Sequence, residues 1–194
     1  EKYVANAVKS ALQFDEVFEV ILVEDKSPDN ALEVCKELTE KHPRVKLFQH
    51  PDQQNHGAGA SRNLGIKNAS GDYIAFLDAD DFYLPNRFDA ERELFKNPEV
   101  DGVYGAIGVH YWSEKAKEQY FNIYQDKLTT VYKNHPAKDV FPGLISMRGS
   151  FGLFSIDALT VRKSALEKMD ALMKTDLKLH QDTDFLMRLA FYNN

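Results

Sequence analysis

The sequence predicts an α/β fold: a Rossmann-like, mostly parallel sheet with helices on both faces. Three observations carry that prediction. Segments with apolar residues at helical spacing alternate with short β-branched runs over residues 1–110, and parallel strands require such helical crossovers. The strand-like runs are almost continuously apolar, as in strands covered on both faces. The chain has 194 residues, 43% of them hydrophobic, enough for one buried core and short of two ordinary domains.

The elements follow in order. Tyr3, Val4, Ala7, Val8, Ala11 and Leu12 mark one helical face. Phe18-Glu19-Val20-Ile21-Leu22-Val23 reads as a buried strand ending at Glu24-Asp25-Lys26-Ser27-Pro28. Ser27 is expected to cap the next helix with Pro28 at its first position, and Ala31, Val34, Cys35 and Leu38 form its buried stripe. Pro43 ends that helix, and Val45-Lys46-Leu47-Phe48 is the next strand. The polar stretch from Gln49 to Gly59 leads to a helix starting near Ala60 or Ser61. After the Gly71-Asp72 turn, Tyr73-Ile74-Ala75-Phe76-Leu77 is a strand that runs into Asp78-Ala79-Asp80-Asp81. Pro85 opens a helix through Phe95, and Val103 to Val109 is a further strand. Residues 111–150 are irregular and dense in aromatics, with Trp112, Tyr120, Phe121, Tyr124 and Tyr132, which read either as core or as the lining of a sugar or acceptor site. A strand over Phe151 to Val161, a helix over Ser164 to Met173 and a last helix over Asp184 to Tyr192 complete the chain.

Composition excludes several classes. Lys and Arg number 24 against 30 Asp and Glu, a formal charge of -6, so the basic footprint of nucleic-acid binding is missing. One cysteine, Cys35, rules out an internal disulfide and a cysteine-rich zinc site, and is expected in the core. No apolar run approaches the roughly 20 residues that span a bilayer. The chain opens on a helical pattern at Glu1 and ends abruptly at Asn194, so function is expected to draw on residues beyond both ends.

Two strong strands finish in carboxylates, Glu24-Asp25 and Asp78-Ala79-Asp80-Asp81. Open α/β sheets bind ligands at these strand ends. Two carboxylates about 5 Å apart repel by roughly 3 kcal/mol at an effective dielectric of about 20. Such a cluster protonates, spreads into water or recruits a cation, and magnesium or manganese with phosphate oxygens is the economical solution. A phosphorylated substrate follows. The plain alternative is that these residues only mark loop starts.

The blocks Val20-Ile21-Leu22-Val23-Glu24-Asp25-Lys26-Ser27-Pro28-Asp29, Gly59-Ala60-Ser61-Arg62-Asn63-Leu64-Gly65-Ile66 and Gly71-Asp72-Tyr73-Ile74-Ala75-Phe76-Leu77-Asp78-Ala79-Asp80-Asp81 together resemble the family 2 glycosyltransferases of GT-A fold. Gln181-Asp182-Thr183-Asp184 resembles that family's Glu-Asp block and extends the match over nearly the whole chain. The resemblance implies one catalytic domain over 1–194, with 1–110 as the nucleotide-sugar-binding half and 111–194 as the acceptor-binding and catalytic-base half. It implies that Asp25 accepts the uracil imide of a UDP-sugar, that Arg62 stands by the nucleotide and the acidic turn, that Asp78 lies near ribose and metal, and that Asp80 binds Mn2+ or Mg2+ at the diphosphate. Asp182 matches the general base of an inverting transfer. For Arg62 the plain alternative is a surface helix ion pair, and for Asp182 that it or Thr183 merely caps the last helix, with Phe185, Leu186 and Leu189 on its buried face.

This sequence departs from the family twice. Gln181 replaces the usual Glu, and the family's first strand and its Pro-x-Tyr-Asn-like loop do not precede Glu1, so that strand is expected in a parent chain. The expected partners are a nucleotide-sugar donor and a glycan or glycoconjugate acceptor in polysaccharide assembly, with no nucleic acid. The expected location is the cytoplasm or the cytoplasmic face of a membrane; peripheral membrane association and oligomeric state stay open. The leading alternative is a GT-A-like domain that binds nucleotide-sugar or glycan without turnover. A haloacid-dehalogenase-like phosphatase is less well supported, because Phe82 stands where its motif has Thr or Val, and so is a nucleotidyltransferase, because no Gly-rich basic start is present.

Overall fold

The computed structural model describes residues 1–125, 131, 134–145, 155–177 and 179–193. Helix α1 (Val4–Leu12) leads to strand β1 (Val20–Glu24), α2 (Ala31–Lys41), β2 (Val45–Gln49), α3 (Ala58–Asn68), β3 (Tyr73–Ala75), α4 (Asp89–Leu94) and β4 (Gly102–Tyr104). Helices α5 (Glu114–Tyr124) and α6 (Ala137–Leu144), strand β5 (Leu159–Arg162), α7 (Lys163–Glu167) and α8 (Gln181–Tyr192) follow. The alternation expected from periodicity is present, with helices packed on strands as an α/β fold requires.

β1 and β2 pair in parallel, Val20 opposite Val45 through Glu24 opposite Gln49. Helix α2 is the crossover between them, and its Cys35 and Leu38 pack with Val4 and Val8 of α1 over Val45. The second ladder has the order β3-β5-β4, with β5 antiparallel to both neighbours. β3 and β4 therefore point the same way, and the strand between them comes from the C-terminal part of the chain. Behind it lies the main core: Val161 and Phe185 are fully buried among Ile66, Ile74, Ile156, Leu166 and Leu189.

A slot of about 1240 Å³ separates the two ladders, walled by α1 at Ala7, Val8 and Ala11, by Val20 to Glu24 and by Ile74 to Leu77. Among the described residues β1 pairs only with β2 and β3 only with β5.

Several local readings change. Ser27 does not cap α2, because the helix starts only at Ala31, with Asn30 at the cap position and the Ala31 N–H donating to Asp29; the Ser27 N–H instead donates to the buried Glu24 carboxylate at 2.6 Å. The helix expected from Pro85 begins only at Asp89, because Tyr83 and Phe88 turn inward against Phe14 first. β4 is short since its ladder partner β5 ends beside it, one further bond running from the Gly105 N–H to the Ala158 carbonyl. The strand expected from Phe151 starts at Leu159, after a 3-10 turn over Ile156–Ala158; residues 151–154 and Tyr132 lie outside the described residues. The helix expected over Ser164 to Met173 is only α7, and α8 begins three residues ahead of Asp184. Cys35 is buried as expected. Among the described residues no helix is long and apolar enough to cross a membrane.

Candidate active site

The site is built where the C-terminal ends of the strands meet the N-terminal ends of α3 and α8. Arg62, one turn into α3, holds it together. Its Nη2 donates to Asp78 Oδ1 at 2.6 Å and its Nη1 to Asp182 Oδ1 at 2.8 Å. Asp78 follows β3 by three residues and Asp182 lies in the first turn of α8, so one guanidinium ties α3, the end of the β3 segment and α8 together. Its side chain is 15% exposed. Burial opposes its charge, yet the Asp78 and Asp182 carboxylates outweigh that and hold its pKa above the ordinary arginine value. A planar fork suits this bridge, and a lysine ammonium could not reproduce it.

The rest of the Gly59 to Gly65 block places α3. Asn63 clamps the backbone of Met173, accepting its N–H at 2.9 Å and donating to its carbonyl at 2.8 Å. Gly59 donates its N–H to Gln181 Oε1 at 3.0 Å, and a Cβ there would lie 2.6 Å from that oxygen. Gln181 also donates to the Leu177 carbonyl. Its amide thus needs both a donor and an acceptor, which gives the Gln in place of Glu a structural reason. Asp182 is not the cap of α8. That position belongs to His180, in the left-handed region at φ 61° and without a side-chain cap.

Asp25 stands apart from this cluster. It accepts the N–H groups of His56 at 2.8 Å and Gly57 at 2.7 Å, and Asn55 donates to its carbonyl at 2.7 Å. The carboxylate therefore fixes the loop that delivers α3, with His50 beside it stacked on His56. Each carboxylate oxygen keeps a second acceptor site.

Beyond Asp78 the chain turns through exposed Asp80 and Asp81. Asp157, just before β5, accepts the Asp78 N–H at 2.8 Å. Burial, with the neighbouring Asp78 carboxylate, pushes Asp157 up to about 7, and burial with Asp80 and Asp78 also raises Asp81. The turn thus carries more negative charge than Arg62 offsets. Among the described residues no three metal-capable side chains form a cage. The exposed Asp80 carboxylate nevertheless fits a hard divalent cation that keeps waters and takes phosphate oxygens.

Residues 1–152 match the model of "Glycosyl transferase family 2". The chain belongs to that family. It is 35% identical over 128 residues to the minor teichoic acid biosynthesis protein GgaB of Bacillus subtilis, covering 63% of this chain and 14% of that protein. It is 32% identical over 137 residues to glycosyltransferase GlyA of Streptococcus pneumoniae, covering 69% and 19%. Among solved structures, S. aureus TarS 1-349 in complex with UDP-GlcNAc superposes with TM-score 0.71 at 20% identity, covering 99% of this chain and 50% of that one. That likeness shows the shared GT-A fold. The chain spans half or less of the length of these relatives.

Of the residues singled out as this family's site, Arg62, Asp78 and Asp182 meet, Asp80 lies exposed on the adjoining turn, and Asp25 sits at the loop before α3. Asp157 carries no signal of its own in the sequence. It is a lone acid after an apolar residue, and only the ladder of β5 beside β3 brings it to Asp78. Gln181 and Gly59 both lie in blocks that stand out in the sequence, but their contact across 122 positions carries no local signal.

Proposed function

We propose that the protein is a metal-dependent, inverting glycosyltransferase that moves a hexosyl or N-acetylhexosaminyl group from a UDP-sugar to a glycan or glycoconjugate acceptor. Family membership supports the reaction class, and UDP-GlcNAc bound to a structural neighbour supports the donor class. The observation that carries the reading is the Arg62 bridge between Asp78 and Asp182: it sets an acid of the acidic turn and the Asp182 carboxylate on either side of one half-buried cation.

In this mechanism Asp25 and the loop it holds receive the base, the carboxylate accepting the uracil imide N–H on a remaining lone pair. Asp80 would hold a divalent cation, which when bound would supply Lewis-acid charge to a leaving diphosphate. Asp78 keeps Arg62 oriented toward the same turn. Asp182, with Oδ1 fixed by Arg62, presents Oδ2 to the acceptor hydroxyl and takes its proton as that oxygen attacks the anomeric carbon. The carbon–oxygen bond to UDP breaks on the opposite face, which inverts the configuration. Residues 1–110 serve the donor and 111–194 the acceptor and base, within one catalytic domain.

The test is nucleotide release by the full-length protein from a panel of UDP-, GDP- and dTDP-sugars with acceptors supplied and Mn2+ present. Release of UDP above all others is expected. No release from any donor would sink the transfer reading and favour a domain that binds without turnover.

A further inference from the structure

Trp112 is the only tryptophan of the chain, and it lies 64% exposed in the connection from β4 to α5. A side chain of this size in water forgoes the burial that usually fixes it. It is nevertheless held in place. His110 meets it edge-on with centroids 4.9 Å apart and planes at 85°, and Tyr3 of the α1 entry packs against it at 5.3 Å. The next residue, Ser113, caps α5 by accepting the Ala116 N–H at 3.1 Å. The indole is thus gripped by its neighbours while most of its surface stays open, the arrangement of a contact surface prepared in advance.

The surface is joined to the acidic turn. Phe82, directly after Asp80 and Asp81, packs edge-on against His110 at 5.5 Å, so a contact chain runs from the turn through His110 to Trp112. Tyr3 lines the same cavity as Arg62, Asp78 and Asp80. The loop leaves room, for a Cβ built at Gly105 or Gly108 meets nothing within 4 Å. The Lys2 ammonium lies over the Trp112 ring at 5.6 Å from its centroid and over the Tyr3 ring at 5.0 Å, a flexible hydrogen-bond donor held at the indole by cation–π attraction.

We infer that Trp112, gripped by His110 and Tyr3, is the stacking platform for a hexopyranose ring of the acceptor. The inference rests on the transfer reading above and names a part of that site. A pyranose presents one face of C–H groups, whose slight positive charge meets the negative face of the indole, while its equatorial hydroxyls reach outward to donors such as Lys2. A donor sugar is covalently tied to the diphosphate at the Asp80 turn. Trp112 stands two ring contacts further out, the position of an incoming acceptor.

The single tryptophan makes the test direct. The full-length protein is titrated with glucose-, galactose- and N-acetylglucosamine-terminated trisaccharides, with and without UDP and Mn2+, while tryptophan emission is followed. A saturable change with at least one saccharide is expected, and UDP alone leaves emission unchanged. Trp112→Ala weakens that saccharide's binding about tenfold by calorimetry and raises the acceptor KM, Trp112→Phe recovers part of it, and UDP affinity is the same in all three. Slow donor hydrolysis by the wild-type protein without acceptor is the separate readout for the transfer reading. The platform is refuted by saccharide binding that is intact in Trp112→Ala, by an emission change with UDP alone or with anionic lipid vesicles alone, or by no saturable response to any trisaccharide. If donor hydrolysis persists in those cases, the transfer reading stands and only the platform falls.

Discussion

Replacing Asp157 by asparagine tests whether the acidic turn stores uncompensated charge. The folded protein holds the Asp157 proton up to about 7, against 3.8 in the unfolded chain. Stability from that proton is complete below the unfolded value, declines as pH rises from there to about 7, and is gone above it. The difference corresponds to at most about 4 kcal/mol. The amide introduced by Asp157→Asn would keep an acceptor oxygen for the Asp78 N–H but carry no charge at any pH. Urea unfolding without divalent metal, from pH 4 to pH 8, should therefore show the variant gaining on wild type by up to about 4 kcal/mol between pH 4 and 7, and no further above that. Carboxylates that do not interact with Asp157 titrate alike in both proteins and cancel in the difference, so the change reports Asp157 together with its neighbours Asp78 and Asp81. A difference that stays flat across this window would refute the charge argument and reduce Asp157 to a hydrogen-bond acceptor.

Three further outcomes are expected. Asp182→Asn should bind UDP-sugar with unchanged affinity yet lose transfer by about 10²- to 10⁴-fold; full activity in steady-state assays would remove it as the base. Asp80→Asn should abolish the part of UDP affinity that depends on Mn2+ in calorimetry, and equal gains from Mn2+ in both proteins would contradict the metal assignment. Gly59→Ala drives a methyl to 2.6 Å from Gln181 Oε1 and breaks the bond it accepts, costing about 1 kcal/mol in chemical unfolding; adding Gln181→Ala should remove the clash, and additive costs in the double variant would show that the contact is not the cause.

By itself the sequence determined what is local. Helical spacing and short apolar runs located α1, α2, α3 and β1 to β3 within a few residues, because period and breaker residues act over neighbours. The same reading found both acidic strand ends and, by the order of its blocks, the family. Ser27 shows its limit even at short range: a good cap residue has no such role when the helix starts three residues further on, at Asn30 and Ala31.

Tertiary structure alone decided how these pieces meet. No pattern in Leu159 to Arg162 tells that this strand inserts antiparallel between β3 and β4, since ladder partners are chosen by packing across the whole chain. That insertion carries Asp157 to the Asp78 backbone and moves its carboxyl toward neutrality. Folding likewise joins Arg62 to Asp78 and to Asp182, 16 and 120 positions away, and turns three separately plausible charges into one site. The sequence supplied the groups, and their energies arose only once burial and proximity set the field each one feels.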